Sequence, residues 1–116
     1  MNDFNVKFGI IGIDHRHVYT QAQFLIELGA ELVGWYTEGS PTTLGGFTKR
    51  FPKAKRFTDP RSLLEDPDIK VILTSAVPND RAKISISAMK HGKDVMSDKP
   101  GCLSFGDLEK LRQTVQ

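Results

Sequence analysis

The stretch Lys7–His17, KFGIIGIDHRH, decides how the rest of this chain folds. Its first half is an almost continuous run of β-branched and aromatic side chains, which is typical of a strand buried on both faces of a parallel sheet. A short polar turn follows, and from about His15 the apolar residues recur at helical spacing. A strand, a tight turn and a helix in this order open a βαβ unit, whose turn usually holds a phosphate against the helix N-terminus.

The turn after Gly12 departs from the glycine-rich sequence that dinucleotide-binding proteins use. A fingerprint that begins at Gly12 requires glycine at positions 14 and 17, but the chain has Asp14 and His17. Asp14 would bring a carboxylate to the expected phosphates, or its side chain could cap the following helix. Donors stand on the same turn at His15, Arg16 and His17, and Arg16 could hold a phosphate as a fork of donors. The alternative interpretation makes His17 an inner residue and leaves Arg16 solvated.

Composition indicates one globular domain. The 116 residues are 39% hydrophobic and 26% charged, which suffices for a single packed core. A net charge of +2 is too small to indicate nucleic-acid binding, and the apolar stretches are too short to span a membrane. The single cysteine, Cys102, and the absence of a signal peptide favour a cytoplasmic protein. We expect no metal site, because His15 and His17 alternate and could point to opposite sides if the segment is extended. In addition, no second cluster of cysteine, histidine or carboxylate residues has ligand spacing.

Five strands alternate with helices along the chain. We expect the strands over 6–13, 31–36, 55–57, 69–74 and 94–97. We expect the helices over 15–28, from Pro41 through Phe51, after Asp59-Pro60, over 80–91 and from a Ser104 cap to the C-terminus. This alternation predicts an α/β fold, a doubly wound parallel sheet with helices on both faces. Right-handed crossovers favour the strand order 3-2-1-4-5.

That strand order places a ligand at the carboxyl ends of the first and fourth strands, where the topology switches. The turns after the first, second and fourth strands converge there, and the turn at 98–102 lies beside them. The candidate cofactor-binding residues in the three converging turns are Gly12, Ile13, Asp14, His15, Arg16, His17, Thr37, Glu38, Ser75, Pro78 and Asn79. The basic group between positions 49 and 56 should lie at the opposite end of the sheet, as a solvated surface.

Four segments carry a resemblance to one protein family. GIIG at 9–12 and ELVGWY at 31–36 are similar to its first two strands, and DPDIKVILTSAVPN at 66–79 to a fourth strand that ends in a Pro-Asn turn. HGKDVMSDKP at 91–100 is similar to the family stretch A-G-K-H-V-x-x-E-K-P and is the most specific match. The chain therefore resembles the N-terminal half of the Gfo/Idh/MocA family, which includes glucose–fructose oxidoreductase and inositol dehydrogenase.

The resemblance implies a Rossmann-like NAD(P)-binding domain over residues 1–116, from an oxidoreductase of sugars, cyclitols or related hydroxy compounds. It implies that Lys99 is the catalytic residue near the reacting carbon, and that Asp98 and Lys99 contact the cofactor. Thr37 stands where the family has its ribose-binding acid. Glu38, one position later, would bind ribose hydroxyls and repel a 2′-phosphate, which favours NAD slightly over NADP. Where the family often has a histidine after the Pro-Asn turn, this chain has Ala82.

The resemblance implies a second, substrate-binding domain and a sixth strand, and we expect neither within these 116 residues. We therefore expect the chain to be part of a longer protein, and this domain alone to bind the cofactor weakly and to catalyse no reaction. The strand at 94–97 would be a sheet edge, so we expect a homo-oligomer. The competing hypothesis is a non-catalytic ligand-binding or assembly module that has lost the dinucleotide. The residues in its favour are Asp14, His17, Thr37 and Ala82.

Overall fold

A five-stranded parallel sheet in the order β3-β2-β1-β4-β5 organises the fold, as seen in a computed structural model that describes residues 6–115. The strands are β1 (Lys7–Ile11), β2 (Glu31–Tyr36), β3 (Lys55–Arg56), β4 (Ile69–Thr74) and β5 (Asp94–Ser97). The helices are α1 (His17–Glu27), α2 (Leu44–Arg50), α3 (Arg61–Leu64), α4 (Pro78–Lys90) and α5 (Phe105–Val115). The predicted fold class and strand order are confirmed.

Hydrophobic cores cover both faces of the sheet. On one face, Phe8 and Ile10 of β1 pack in a cluster with Phe47 of α2. On the other face, Ile11 packs in a second cluster with Leu63 of α3. Because successive side chains of a strand point to opposite faces, β1 needs an apolar or small residue at nearly every position. Among residues 6–115, no helix is both long and apolar enough to cross a bilayer.

Three helices begin at residues other than those predicted. α1 begins later than expected, at His17, and α4 begins earlier, at Pro78. Proline is tolerated in the first helical turn because the N–H group that it lacks has no partner within the helix there. α2 begins at Leu44, since Pro41 belongs to a separate turn in which its carbonyl accepts the Leu44 N–H at 3.0 Å.

The predicted cap of α5 is confirmed, whereas that of α1 is wrong. The Ser104 hydroxyl oxygen accepts a backbone N–H of the first turn of α5 at 3.1 Å. Asp14 lies too far before the start of α1 to cap it, and the N-cap residue, Arg16, makes no side-chain capping bond. Instead, Nδ1 of His15 accepts the backbone N–H of His17 at 3.1 Å.

Candidate functional site

The carboxyl ends of β1, β2 and β4 meet and are joined by backbone hydrogen bonds. The Gly12 N–H donates to the Tyr36 carbonyl at 2.7 Å, which ties the end of β1 to β2. The Ser75 N–H donates to the Gly12 carbonyl at 2.9 Å, and the His15 N–H donates to the Ser75 carbonyl at 2.9 Å. The three turns therefore converge as the strand order predicts.

Gly12 allows the turn after β1 to approach the turn after β4 closely. Its φ is +90°, a conformation that strongly favours glycine. A Cβ at this position would lie 2.4 Å from the Cβ of Ala76, which is far closer than two carbon atoms can pack. The backbone of this junction therefore requires glycine independently of any ligand.

A cavity of about 310 Å³ opens beside Gly12. Apolar side chains from the strand ends and from α3 and α4 line much of it, among them Ile11, Leu64 and Ile84. Its charged lining residues are Asp14, Glu38, Asp80 and Lys83. A mostly apolar concavity with a few charged groups at the switch point of an α/β sheet is the usual form of a nucleotide site.

Asp14 brings a half-buried carboxyl to this cavity. Burial raises its pKa above the ordinary value, and the nearby Asp80 carboxylate raises the pKa further. The backbone N–H groups of Asp14 and Val77 and the Arg81 guanidinium lower the pKa but do not cancel the increase. A carboxyl group here opposes a diphosphate and suits a hydroxyl group as its partner.

Thr37 and Glu38 end β2 in different surroundings. Thr37 is buried, and its hydroxyl oxygen accepts the Ile13 N–H at 3.3 Å. Glu38 is exposed and lines the cavity. Glu38 is therefore the acidic residue at the end of β2 that lines the cavity, one position after Thr37.

The prediction that the basic group between 49 and 56 lies away from the site is wrong for Arg56. Its guanidinium donates to the Gly39 carbonyl at 3.3 Å, in the turn after β2, and lies 5.2 Å from the centre of the Trp35 ring. Arg56 also lines a shallow groove together with Thr37 and Glu38. Because β3 is so short, Arg56 is its last residue, and a long side chain carries its charge to the ligand-facing end of the sheet.

The backbone N–H groups of the turn after β1 are mostly engaged within the protein. The N–H groups of Gly12, Ile13, His15 and His17 each donate to an acceptor within the protein, and the Val18 N–H donates to the His15 carbonyl at 3.1 Å. A phosphate bound at a helix N-terminus normally uses such groups. Within residues 6–115 the Arg16 N–H has no acceptor, and the exposed Arg16 side chain lines a groove along α1.

Asp98, which follows β5, connects several segments at the mouth of the crevice. Its carboxylate is buried and accepts the Ser75 hydroxyl at 3.2 Å and the Lys99 N–H at 2.9 Å. Nδ1 of His17 lies 3.2 Å from one carboxylate oxygen, and Nη2 of Arg81 lies 3.8 Å from the other. Burial is the largest single influence and would raise the pKa of Asp98, but the combined hydrogen bonds outweigh it, so the pKa is lowered.

His15 and His17 lie side by side next to Asp98. Their ring centroids are 4.1 Å apart, and their Nδ1 atoms lie 3.5 Å and 3.2 Å from the two carboxylate oxygens of Asp98. The two side chains therefore do not point to opposite sides, as they could in an extended segment. The segment between them turns into α1 instead of extending, as the bond from the Val18 N–H to the His15 carbonyl shows.

The remaining predicted residues lie at the start of α4 and after β5. Pro78 and Asn79 are exposed in the first turn of α4, whose N-cap residue is Val77, so Asn79 does not cap the helix. Lys99 is exposed immediately after Asp98. Its backbone N–H donates to the Asp98 carboxylate, and Lys99 is not among the residues that line the cavity.

The sequence patterns missed two residues that hold this site together. Arg81 is 2% exposed, and its guanidinium donates to the Ala76 carbonyl at 2.7 Å and to the Pro100 carbonyl at 3.3 Å. Thr43 is also buried, and its hydroxyl donates to the Ile13 carbonyl. Neither residue belongs to a motif, and an arginine in the first turn of a helix normally indicates a surface position, so no sequence signal singled them out.

The strand order, the cavity at the switch point and the glycine at the end of β1 define the chain as an α/β nucleotide-binding domain. Comparison with known families is more specific. A family model described as the oxidoreductase family, NAD-binding Rossmann fold, matches residues 6–116. The chain belongs to this family, Gfo/Idh/MocA, whose members are NAD(P)-dependent oxidoreductases.

Similar proteins share this domain over a fraction of their length. The 1-carboxy-3-chloro-3,4-dihydroxycyclohexa-1,5-diene dehydrogenase of Comamonas testosteroni is 24% identical over 111 residues, which cover 96% of this chain and 28% of the relative. A crystal structure from Erwinia carotovora atroseptica SCRI1043 matches with a TM-score of 0.90 and 31% identity, over 95% of this chain and 33% of that one.

A third similar protein shares the fold at lower identity. Biliverdin reductase from Synechocystis sp. PCC 6803, solved with biliverdin and NADP⁺, matches with a TM-score of 0.77 and 23% identity, over 94% of this chain and 34% of that one. The matches therefore cover 28% to 34% of the length of these three proteins.

Proposed function

We propose that this chain is the cofactor-binding domain of an NAD(P)-dependent oxidoreductase that acts on a sugar, a cyclitol or a related hydroxy compound. The observation that carries the proposal is the cavity beside Gly12, which lies at the switch point and has the Glu38 carboxylate in its lining. Its apolar lining suits an adenine ring, and Glu38 would accept the ribose hydroxyl groups. The relative from Comamonas testosteroni is named for a dihydroxylated ring, which supports a hydroxyl-bearing substrate.

The residues present fit the adenosine half of a dinucleotide better than its diphosphate. Asp14 and the engaged backbone N–H groups of the turn after β1 leave Arg16 as the main donor for phosphate oxygens. The bound cofactor would supply hydride transfer, and the chain would supply orientation and proton transfer. We propose that Lys99 carries out the second role, by donating a hydrogen bond to a substrate oxygen or by moving its proton.

We propose NAD as the preferred cofactor. Glu38 and Asp14 bring two carboxyl groups to the cavity, and both would repel the 2′-phosphate of NADP. Arg56 favours NADP, because its guanidinium lines the groove next to Glu38 and would attract the 2′-phosphate. The Synechocystis relative was solved with NADP⁺, so both cofactors are used among proteins of this fold.

A calorimetric titration of the 116-residue chain with NAD⁺ and with NADP⁺ tests these proposals. We expect saturable NAD⁺ binding that is weakened in Glu38→Gln and lost in Gly12→Ala. Gly92→Ala is the matched control and should bind NAD⁺ normally, because Gly92 also has a positive φ, nothing lies within 4 Å of its Cβ position, and it does not line the cavity. We expect Arg56→Gln to bind NAD⁺ normally. A folded wild-type chain that binds neither dinucleotide at millimolar concentration would reject the proposed function.

A second candidate function is a non-catalytic ligand-binding or assembly module. The internally bonded N–H groups of the turn after β1 and the Asp14 carboxyl favour it. The open cavity favours the oxidoreductase instead. Of residues 14–17, Asp14 lines the cavity, whereas His15 and His17 lie next to Asp98 and do not fill it. The same titration separates the two candidates, since a folded module of this kind would show no heat of binding with either dinucleotide.

The partners that we propose are small molecules and further copies of the chain. The net charge of +2 gives no basis for nucleic-acid binding. Among residues 6–115, β5 pairs with one strand, β4, and an open strand edge favours self-association. Cys102 is a free cysteine, which suits a reducing compartment, and we propose a cytoplasmic location on that ground.

A further inference from the structure

We propose that His15, His17 and Asp98 form a binding site for a divalent transition-metal ion such as Zn²⁺ at the mouth of the crevice. One candidate ligand atom from each residue lies within 4.8 Å of the others. The three residues come from two segments that lie far apart in sequence: His15 and His17 from the turn after β1 and the start of α1, and Asp98 from the turn after β5. The proposal uses no atom of a dinucleotide, so it does not depend on the proposed function.

The spacing of the candidate ligand atoms suits a single ion. The Nδ1 atoms of His15 and His17 lie 3.5 Å and 3.2 Å from carboxylate oxygens of Asp98. Two ligands at about 2.0–2.2 Å from a zinc ion, with tetrahedral or octahedral angles between them, are roughly 2.8–3.6 Å apart. Both observed distances fall in this range, and all three ligand atoms lie within 4.8 Å of one another, so side-chain rotations would have to bring them to one ion.

The ligand types determine which metals would bind. Two imidazoles and one carboxylate suit Zn²⁺, Co²⁺, Ni²⁺ or Fe²⁺, whereas Mg²⁺ and Ca²⁺ prefer oxygen ligands throughout. The side chains of His15 and His17 are 45% and 56% exposed. The remaining coordination positions therefore face solvent, where water or a substrate oxygen could bind. Three protein ligands with an open position are typical of catalytic sites rather than structural ones.

Asp98 is held in place by groups behind the site. The Ser75 hydroxyl and the Lys99 N–H both donate to its carboxylate, and such bonds to a ligating group are usual around metal ions. The Arg81 guanidinium, 3.8 Å from the carboxylate, repels a cation. We therefore expect moderate affinity, below that of a closed structural zinc site.

Metal binding would replace two existing hydrogen bonds. Nδ1 of His17 is bonded to Asp98, and Nδ1 of His15 accepts the His17 backbone N–H. A metal ion needs the Nδ1 lone pair of each imidazole, so a proton on Nδ1 of His17 must move to Nε2 or to solvent. The His17 N–H would then lose its acceptor, because the metal occupies the His15 lone pair.

Calorimetric titration of the untagged chain with ZnCl₂, together with the visible absorption spectrum after addition of CoCl₂, tests the site. We expect one ion per chain and Co²⁺ absorption bands of a nitrogen- and oxygen-ligated centre. His15→Ala and His17→Ala should each weaken binding more than about 100-fold, beyond the loss typical of outer supporting groups. Ser75→Ala, which removes only a donor to Asp98, should weaken it about 10- to 100-fold.

Two control variants should leave binding unchanged. His91 is the third histidine of the chain and bonds to the Ser87 carbonyl at the end of α4, and Cys102 is the single cysteine. Loss of binding in His91→Ala or Cys102→Ser would overturn the proposal, as would full binding in His17→Ala or no binding in the wild type. His15 and His17 are exposed, so their alanine variants should stay folded. Asp98 is buried, and for that reason the test does not rely on a substitution of Asp98. NAD⁺ titration of the same variants separates failure of this site from failure of the proposed function.

Discussion

At the scale of single residues, Lys93 is a buried lysine whose ammonium group binds backbone carbonyls at the start of β4. Its side chain is almost fully buried, and its Nζ donates to the Asp66 and Ile69 carbonyls at 2.7 Å each. Burial lowers the pKa of this ammonium group, and Lys70 lowers it further, while Asp66 partly offsets the decrease. The two carbonyls replace the water that the group loses on folding.

Replacement of this lysine should destabilise the chain. We expect Lys93→Met to lower the free energy of unfolding by about 1–3 kcal/mol, because two carbonyls lose a charged donor in a buried place. Lys90→Met, at an exposed position of α4, is the matched control and should change it by less than about 0.5 kcal/mol. Urea unfolding of the three proteins measures both values. Equal effects of the two substitutions would contradict this role of Lys93.

The lowered pKa of Lys93 also predicts a dependence on pH. Between its value in the folded chain and the ordinary value of 10.5, the unfolded state binds more protons than the folded state. Stability contributed at this position therefore rises with pH in that window. We expect the difference in unfolding free energy between the wild type and Lys93→Met to grow as the pH approaches 10.5. A difference that stays constant or shrinks would argue against the lowered pKa.

Gly12 and Gly39 allow backbone strain to be separated from steric overlap. Both have a positive φ, but only Gly12 lies against Ala76. We expect Gly39→Ala to cost about 1–2 kcal/mol from the left-handed conformation alone. Gly12→Ala should cost about 1–3 kcal/mol more, because the added methyl group overlaps Ala76. Thermal unfolding of the two variants measures both losses of stability. Equal losses would show that the turns after β1 and β4 can move apart to accommodate the methyl group.

At the scale of elements, α2 is weakened by two adjacent glycines with different surroundings. Nothing lies within 4 Å of a Cβ placed on Gly45, whereas one on Gly46 would lie 2.5 Å from the Tyr19 hydroxyl. That hydroxyl donates to the Thr43 carbonyl at 2.9 Å, and the Arg50 guanidinium lies 4.0 Å from the centre of the Tyr19 ring. Gly46 thus makes room for the contact between α1 and α2.

Alanine at these two positions should have opposite effects. We expect Gly45→Ala to stabilise the chain by about 0.5–1 kcal/mol, because alanine is the better helix former in an open position. Gly46→Ala should destabilise it despite the same gain in helix propensity, since Tyr19 must move and lose its bond to Thr43. Differential scanning calorimetry of the pair measures the sign of each change. Stabilisation by both substitutions would show that Tyr19 is not constrained.

At the scale of the whole molecule, apolar surface on and before α5 is left uncovered. Phe105 is 90% exposed, Leu103 56% and Leu108 44%, although α5 contacts α4. In sequence, this surface and the edge strand β5 both belong to the segment from 94 to 115. Exposed apolar groups of this size are typical of a surface that another protein segment covers.

We expect the 116-residue chain to associate with itself through this surface. Phe105→Glu combined with Leu108→Glu should shift the chain towards monomer, because two charges would enter an apolar interface. Glu109→Gln, at an exposed neighbouring position, is the control and should leave association unchanged. Sedimentation equilibrium over a range of concentrations measures the result. A wild-type chain that stays monomeric at the highest concentrations would contradict the expectation.

The sequence by itself determined the sheet, its strand order and the family. Apolar runs and helix signals act over a few residues, and the handedness of crossovers leaves few ways to join them, so these features follow from local patterns. The convergence of the turns after β1, β2 and β4 followed from the same rules. The Ser104 cap was also predictable, because its partner lies only three residues further along the chain.

Only the tertiary structure decided which side chains meet at the site. His17 and Asp98 are 81 positions apart, and their contact depends on how two turns end on neighbouring parts of the sheet. The burial of Arg81 and the reach of Arg56 depend in the same way on carbonyl groups of distant turns. Side-chain direction in an irregular turn has no periodic pattern in the sequence, so the histidine pair could be found only in three dimensions.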